Sequence, residues 1–178
     1  MATYLWTIKK MVDLKKCKTL LDVGAGGGSF LLMMNQQWWG KGNDLQLEAQ
    51  EISTHCVNYL REKGFKTYDG DFSKINFEKQ YDIVTAWHVV EHVQDIQSLA
   101  KQVAKITKKY FIVEVPMAAG NNGGYGRNPN TYKKGFNGHY HFFTKESMIH
   151  LFKDYFKTVT KNKAIQGGEY SLQLIFEK

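Results

Sequence analysis

The clearest chemical signal in the sequence is a glycine-rich turn that directly follows a short apolar run. Residues 19–23 read Thr-Leu-Leu-Asp-Val, which is typical of a buried parallel strand, and Gly24, Gly26 and Gly28 come directly after it. Glycines allow a tight turn and a close approach of the backbone to a ligand. Asp22 places a carboxylate beside this turn, which favours a ligand with a cationic end, such as the ammonium and sulfonium groups of S-adenosylmethionine, over a pyrophosphate.

A second chemical group consists of histidines and a glutamate in the middle of the chain. His88, Glu91 and His92 stand at positions i, i+3 and i+4, which share one face of a helix. With His139 or His141 as a fourth ligand they form a candidate metal site, and imidazole donors favour Mn, Fe, Co or Zn over Mg. The metal-free alternative, which the sequence alone favours, keeps His88, His139 or His141 as a general base, since histidine titrates near neutral pH.

These groups need a scaffold that brings strand ends together. Short apolar runs alternate with helical patterns, which predicts a parallel sheet covered by helices on both faces. The two last strands, joined through Gly167 and Gly168, predict an antiparallel edge. The predicted strands are Thr19–Val23, Leu45–Gln50, Phe65–Tyr68, Tyr81–Ala86, Tyr110–Val115, Phe156–Thr160 and Ser171–Phe176. The predicted helices cover 3–15, 29–37, 53–63, a stretch from about His88, 96–107 and 144–155.

The stretch Leu20–Ser29, Leu-Leu-Asp-Val-Gly-Ala-Gly-Gly-Gly-Ser, resembles motif I of the class I S-adenosylmethionine-dependent methyltransferases. The resemblance implies a Rossmann-like, three-layer α/β/α sandwich with a mostly parallel seven-stranded sheet and an antiparallel C-terminal edge. It also implies a single methyltransferase domain over 1–178, in which residues 117–138 form a substrate loop or lid. Position 29 is Ser, which departs from the Gly-x-Gly-x-x-Gly pattern of dinucleotide-dependent oxidoreductases.

The same resemblance assigns S-adenosylmethionine contacts to the ends of four successive strands. Ligands of open α/β sheets bind beyond the carboxyl ends of the strands. An acid after the second strand implies a ribose contact, for which Glu51 fits better than Glu48, and Asp71 after the third strand implies an adenine contact. The implied cofactor-binding residues are Asp22, Gly24, Ala25, Gly26, Gly28, Glu51, Ile52, Asp71, Phe72, Trp87 and His88.

Residues 81–93 and 138–144 are similar to a large bacterial subgroup of these enzymes, and the Glu-His-Val signature at 91–93 is similar to ubiquinone-biosynthesis O-methyltransferases. In those enzymes, and in small-RNA 2′-O-methyltransferases, a Glu-x-x-Glu-His helix binds a divalent metal, but His88 replaces the first Glu here. The resemblance implies O-methylation of a small molecule or of a sugar or lipid-linked intermediate, with S-adenosylhomocysteine as product. A metal-dependent RNA 2′-O-methyltransferase and a catalytically silent cofactor-binding scaffold stay open as alternatives.

Composition limits the classes of protein further. The 178 residues are 43% apolar, yet no apolar run approaches the roughly 20 residues of a membrane span. The two cysteines, Cys17 and Cys56, lack metal-binding spacing and predict free thiols in a protein of the cytoplasm. We expect a monomer or a homodimer. The net charge of +7 is compatible with a nucleic-acid partner, but its lysines are scattered, which favours a small-molecule or glycan acceptor.

Overall fold

The computed structural model describes residues 12–36, 45–116, 138–166 and 169–178, with side chains throughout these ranges except within 159–170. The strands are β1 (Thr19–Val23), β2 (Gln46–Glu51), β3 (Lys66–Asp69), β4 (Tyr81–Trp87), β5 (Thr107–Pro116), β6 (Lys157–Gln166) and β7 (Glu169–Glu177). The α-helices are α1 (Ser29–Asn35), α2 (Thr54–Glu62), α3 (Ile96–Ile106) and α4 (Lys145–Phe152). Short 3-10 turns cover Leu14–Lys16, Phe72–Lys74 and Val90–His92.

All seven described strands form one sheet in the order β3-β2-β1-β4-β5-β7-β6. Strands β1 to β5 pair in parallel, whereas β7 runs antiparallel to both β5 and β6. The central strand β1 lies between β2 and β4, so the strand order reverses there. This reversal opens a crevice at the carboxyl end of β1, where the glycine turn begins.

Apolar side chains alternate along the strands and form one core on each face of the sheet. Leu20 and Ile83 belong to the core that α1 and α2 cover, whereas Leu21 and Val84 belong to the core that α3 and α4 cover. Period-two alternation produces this division because successive strand side chains point to opposite faces. The predicted three-layer sandwich, with its antiparallel C-terminal edge, is therefore confirmed.

One predicted element is wrong, and it lies at the site. The helix expected from about His88 is absent, and only a three-residue 3-10 turn, Val90–His92, forms there. The cause is the backbone of His88, whose φ of 56° is left-handed and incompatible with an α-helix. The i, i+3, i+4 face on which the metal hypothesis depended therefore does not exist in that form.

Other predictions fall partly or wholly beyond the described residues. The N-terminal helix 3–15 is described only from residue 12, where a bend precedes the 3-10 turn Leu14–Lys16. The lid 117–138 lies outside the described residues apart from Gly138, as does the glycine pair 167–168 between β6 and β7. Among the described residues, no helix is long and apolar enough to cross a bilayer. Both cysteines carry free thiols.

Candidate functional site

The turn after β1 has a backbone path that only glycine follows easily. Gly24 has a φ of 63°, and a Cβ atom there would lie 2.5 Å from Cγ2 of Val89. Val89 belongs to the loop after β4, so the glycine turn and the loop that carries the histidines are in direct contact. Gly27 has no such constraint, since a Cβ atom added there would have nothing within 4 Å. The turn thus lies directly against the loop that carries His88, Glu91 and His92.

Glu51, the last residue of β2, holds the glycine turn in place. Its Oε2 accepts a hydrogen bond from the backbone N–H of Gly26 at 2.7 Å. Its Oε1 accepts from the backbone N–H groups of Ile52 at 2.8 Å and Ser53 at 2.9 Å. Each carboxylate oxygen has two lone pairs, so Oε2 keeps capacity to accept from a further donor such as a ribose hydroxyl.

Gln50, which the sequence analysis missed, connects the glycine turn after β1 with the loop after β3. Its Oε1 accepts from the Gly24 N–H at 3.2 Å, its Nε2 donates to the Gly70 carbonyl at 2.6 Å, and its backbone carbonyl accepts from Ala25 N at 3.0 Å. The side chain is 3% exposed. The only signal for this role in the sequence is a polar residue, Gln50, at the end of the predicted second strand and next to Glu51.

Asp22 is buried beneath the glycine turn. The Oγ1 hydroxyl of Thr85 on β4 donates to its Oδ1 at 2.6 Å. Burial raises the pKa of Asp22 to about 7, the Thr85 bond opposes this rise, and the nearby charge of Glu51 adds to it. Two acids therefore flank one turn, which disfavours an anionic ligand and favours a cationic one.

The loop after β3 contributes two predicted residues with different surroundings. Asp71 accepts from the backbone N–H and hydroxyl of Ser73, and these bonds lower the pKa of Asp71. Phe72 is only 6% exposed and packs against Phe77 in the core. Ile52, by contrast, is 69% exposed beside Glu51, which leaves an apolar side chain available to a flat ligand.

Glu48, the alternative to Glu51, lies at the other end of the sheet. Its carboxylate accepts from the hydroxyl of Tyr81 and the ammonium of Lys79, both at 2.6 Å. Burial would raise the pKa of Glu48, but these two bonds and the charge of Lys66 lower it overall. Tyr81 and Lys66 begin their strands, so this carboxylate is a structural group remote from the glycine turn.

His88 follows β4 and is bound from the neighbouring strand. Its backbone N–H donates to the carbonyl of Glu114 on β5 at 2.8 Å, and its Nε2 lies 3.1 Å from Oε1 of the Glu114 carboxylate. Its Nδ1 lies 3.4 Å from Oε1 of Glu91. Trp87, the preceding residue, packs edge-on against Phe30 at 5.2 Å between ring centroids.

Glu91, His92 and His139 converge, with their ligand atoms within 4.8 Å of one another. The chain returns after the undescribed segment so that the N–H groups of Tyr140 and His141 donate to the Glu91 carbonyl, at 2.8 and 3.2 Å. The Glu91 side chain is 1% exposed, and neither of its oxygens has a hydrogen-bond partner among the described residues. This pairing of segments distant in sequence, rather than a helix face, builds the cluster.

Three of the four predicted metal ligands, Glu91, His92 and His139, converge among the described residues. His88 is outside this converging group, although its Nδ1 lies 3.4 Å from Oε1 of Glu91 while its Nε2 faces Glu114. His141 is not part of it either, since its Nε2 lies 2.9 Å from the Val93 carbonyl. We call His88, Glu91, His92, His139 and His141 the histidine half of the site. We call Asp22–Gly28, together with Gln50 and Glu51, the glycine-turn half.

Comparison with solved structures gives the same fold for proteins of low sequence similarity. Magnesium protoporphyrin IX methyltransferase from Synechocystis PCC 6803, solved with bound SAH, has 15% identity and a TM-score of 0.73, over 99% of this chain and 80% of that one. Coclaurine N-methyltransferase, bound to N-methylheliamine and SAH, has 12% identity and a TM-score of 0.77, over 99% and 70%. The PH0226 protein of Pyrococcus horikoshii has 18% identity and a TM-score of 0.70, over 99% and 90%.

Sequence comparison identifies the family. No curated protein gives a significant match to the chain. The model of a methyltransferase domain family matches residues 4–159, which include the glycine turn, both acids that flank it and the whole histidine half. The fold is accordingly the Rossmann-like methyltransferase fold, and the chain belongs to this methyltransferase domain family.

Proposed function

We propose that the chain is an S-adenosylmethionine-dependent methyltransferase that methylates a hydroxyl oxygen of a small molecule or of a sugar or lipid-linked intermediate. Family membership and the bound SAH of two structural neighbours support the cofactor. The observation that carries the proposal is the pair of acids, Asp22 and Glu51, around one glycine turn. This arrangement suits a ligand that is cationic at one end and carries ribose hydroxyls at the other.

In this proposal, each cofactor group meets a residue of matching chemistry. The Asp22 carboxylate, with a pKa of about 7, attracts the cationic amino-acid end through the turn, and the cation in turn favours its ionised form. Glu51 accepts from the ribose hydroxyls, and the exposed side chain of Ile52 packs against the adenine ring. Asp71 accepts from the adenine amino group. Phe72 and Trp87 support this pocket from the core, and Gly24, Ala25, Gly26 and Gly28 supply the backbone surface.

The proposed reaction is a direct displacement at the methyl carbon. A lone pair of the acceptor oxygen forms the new O–C bond while the S–C bond breaks and its electron pair stays on sulfur, which yields S-adenosylhomocysteine. The acceptor proton passes to an imidazole, for which we propose His88, His139 or His141. Holding the acceptor in line with the S–C bond is the main task of the protein, and such positioning contributes up to about 7–11 kcal/mol.

A second candidate, a metal-assisted O-methyltransferase with RNA among its acceptors, is favoured by one specific observation. The buried Glu91 carboxylate, with neither oxygen hydrogen-bonded among the described residues, meets His92 and His139. One carboxylate and two imidazoles fit Mn, Fe, Co or Zn better than Mg. When bound there, such an ion supplies a Lewis acid that makes an acceptor hydroxyl easier to deprotonate. The net charge of +7 is compatible with an RNA acceptor.

Calorimetry with SAH tests the cofactor. We expect the protein to bind SAH and not NAD. Glu51→Ala weakens SAH binding by about 30- to 300-fold, because it removes two or more charge-assisted hydrogen bonds. Glu62→Ala is the matched control, since Glu62 is exposed on α2, and it leaves the affinity unchanged. Tight NAD binding together with no response to SAH would contradict the proposal.

Isotope transfer tests the reaction. Protein with 13C-methyl S-adenosylmethionine and bacterial metabolite extract or total RNA yields a labelled O-methyl product if the proposal is correct. SAH binding without any labelled product indicates the catalytically silent scaffold. Manganese titration followed by EPR tests the metal version separately. There we expect stoichiometric binding that is lost in His92→Ala and retained in His150→Ala, a histidine on α4 outside the cluster.

A further inference from the structure

Glu114 is an acidic residue in the apolar, buried part of β5. Its β5 neighbours Ile112, Val113 and Val115 are at most 1% exposed, and Glu114 itself is 0% exposed. A buried carboxylate is strongly disfavoured unless hydrogen bonds and charges compensate it. The polar side-chain contacts of Glu114 among the described residues are to His88 and Gln173, and none of them is to the glycine-turn half.

Both oxygens of Glu114 are engaged, and each leads to a different strand. Oε1 lies 3.1 Å from Nε2 of His88 at the end of β4, and Oε2 accepts from the side-chain amide of Gln173 on β7. The register places Glu114 opposite Trp87, the residue before His88, and opposite Gln173, so Glu114 lies between His88 and Gln173 in the sheet. Gln173 is 1% exposed. The amide therefore fixes the carboxylate, and the carboxylate fixes the imidazole.

The backbone of His88 is held by the same residue. Its N–H donates to the Glu114 carbonyl at 2.8 Å, and its φ of 56° lies in the left-handed region that non-glycine residues rarely adopt. Residues in sparsely populated conformations persist where surrounding contacts determine them, and they concentrate at functional sites. Two contacts from one residue, one to the backbone and one to the ring, determine the position of His88 here.

We propose that Glu114, oriented by Gln173, is a positioning residue that sets the ring orientation and tautomer of His88. Glu114 accepts the proton on Nε2, and this bond leaves Nδ1 facing Oε1 of Glu91 at 3.4 Å. The role of His88 toward an acceptor rests on the proposed methyl transfer, whereas the control of its ring by Glu114 does not.

Long-range 1H–15N NMR on 15N-histidine-labelled protein tests this proposal directly. The His88 signals are assigned by their loss in His88→Gln. In the parent protein we expect one tautomer with the proton on Nε2. In Glu114→Leu, where the side chain has no acceptor for Nε2, we expect the 15N chemical shifts of both ring nitrogens to move toward the averaged values of exchanging tautomers. Glu114→Gln, whose amide oxygen still accepts a hydrogen bond, restores the parent pattern, and Gln173→Leu produces a smaller shift in the direction of Glu114→Leu.

Glu48→Gln is the matched control, because Glu48 is equally buried in the sheet but bonds to Tyr81 and Lys79. It is expected to leave the His88 signals unchanged. The proposal is overturned if the His88 signals do not move in Glu114→Leu. If Glu114→Leu does not fold, the same criterion applies to Gln173→Leu. The proposal is also overturned if Glu48→Gln moves the His88 signals as far as the Glu114 variant does. SAH affinity of the parent, measured on the same sample, reports separately on the proposed function.

Discussion

The two halves of the site differ in how completely their buried acids are bonded. In the glycine-turn half, Asp22 accepts from Thr85 and Glu51 accepts from three backbone N–H groups. In the histidine half, the equally buried Glu91 has no hydrogen-bond partner among the described residues. The first half is thus assembled by the protein alone, whereas the second retains an acid whose loss of hydration is not compensated by hydrogen bonds. The neighbours of the Glu91 carboxylate among the described residues are imidazoles: Nδ1 of His88 lies 3.4 Å from its Oε1, and ligand atoms of His92 and His139 lie within 4.8 Å.

The largest expected effect concerns Asp22 and pH. Its pKa is about 7 in the folded protein, against 3.8 as the ordinary value, so the folded state keeps a proton that the unfolded state releases between these pH values. Stability therefore falls as pH rises from about 4 to about 7 and stays lower above that range, by on the order of 4 kcal/mol. Asp22→Asn keeps a partner for Thr85 and removes this fall.

Urea unfolding of both proteins at pH 5 and pH 8 measures the difference. The parent loses stability relative to Asp22→Asn between the two pH values, because all other groups are shared. Parallel pH profiles would show that Asp22 is ionised in the folded protein throughout, and its charge would then be better compensated in the glycine-turn half than its burial indicates.

The next effect compares two glycines three residues apart. Gly24→Ala places a Cβ atom 2.5 Å from Cγ2 of Val89 at a φ of 63°, whereas Gly27→Ala meets nothing within 4 Å. We expect Gly24→Ala to reduce the free energy of unfolding by about 2–4 kcal/mol, through overpacking and left-handed strain, and Gly27→Ala to have little effect. Thermal unfolding measures both. Equal losses would mean that Val89 is not packed on the turn and that the two halves are not coupled there.

The two halves also differ in how well the sequence predicted them. The positions of Asp22, Gly24 and Glu51 at strand ends follow from local patterns, a strand followed by a turn, while their roles toward a cofactor stay predictions. The arrangement around His88 was missed because its left-handed backbone depends on Glu114, 26 residues away along the chain. The partnership of Glu91 with His139 likewise depends on backbone hydrogen bonds between distant segments. An isolated Glu in the apolar run Tyr110–Val115 was the available signal for the former.

A third prediction compares Glu91 with Glu48, two acids that are each 1% exposed. In EDTA, Glu91→Leu raises the free energy of unfolding by about 1–3 kcal/mol, because an apolar side chain replaces a poorly compensated buried charge. Glu48→Leu lowers it by a similar amount, since Tyr81 and Lys79 lose their acceptor. Urea titration of both variants checks the signs. A loss of stability in Glu91→Leu equal to that in Glu48→Leu would show that the Glu91 carboxylate is already satisfied.

The smallest effect concerns the segment that carries His139. Besides its backbone bonds to Glu91, this segment is held by the side-chain amide of Gln94, which donates to the Tyr140 hydroxyl at 2.9 Å on an exposed part of the surface. Gln94→Ala and Tyr140→Phe should each cost about 0.5 kcal/mol, and the double variant should cost no more than either alone.

Urea unfolding of the four proteins in this cycle gives the coupling between the two side chains. Manganese titration of the same proteins then shows whether this surface bond affects the position of His139. Because the two backbone bonds to the Glu91 carbonyl persist in every variant, we expect the manganese affinity to change by less than about twofold. A larger change would mean that the position of His139 depends on surface contacts as well as on the two backbone bonds. The histidine half would then be less rigidly assembled than the glycine-turn half for a second reason, besides the missing hydrogen bonds of the Glu91 carboxylate among the described residues.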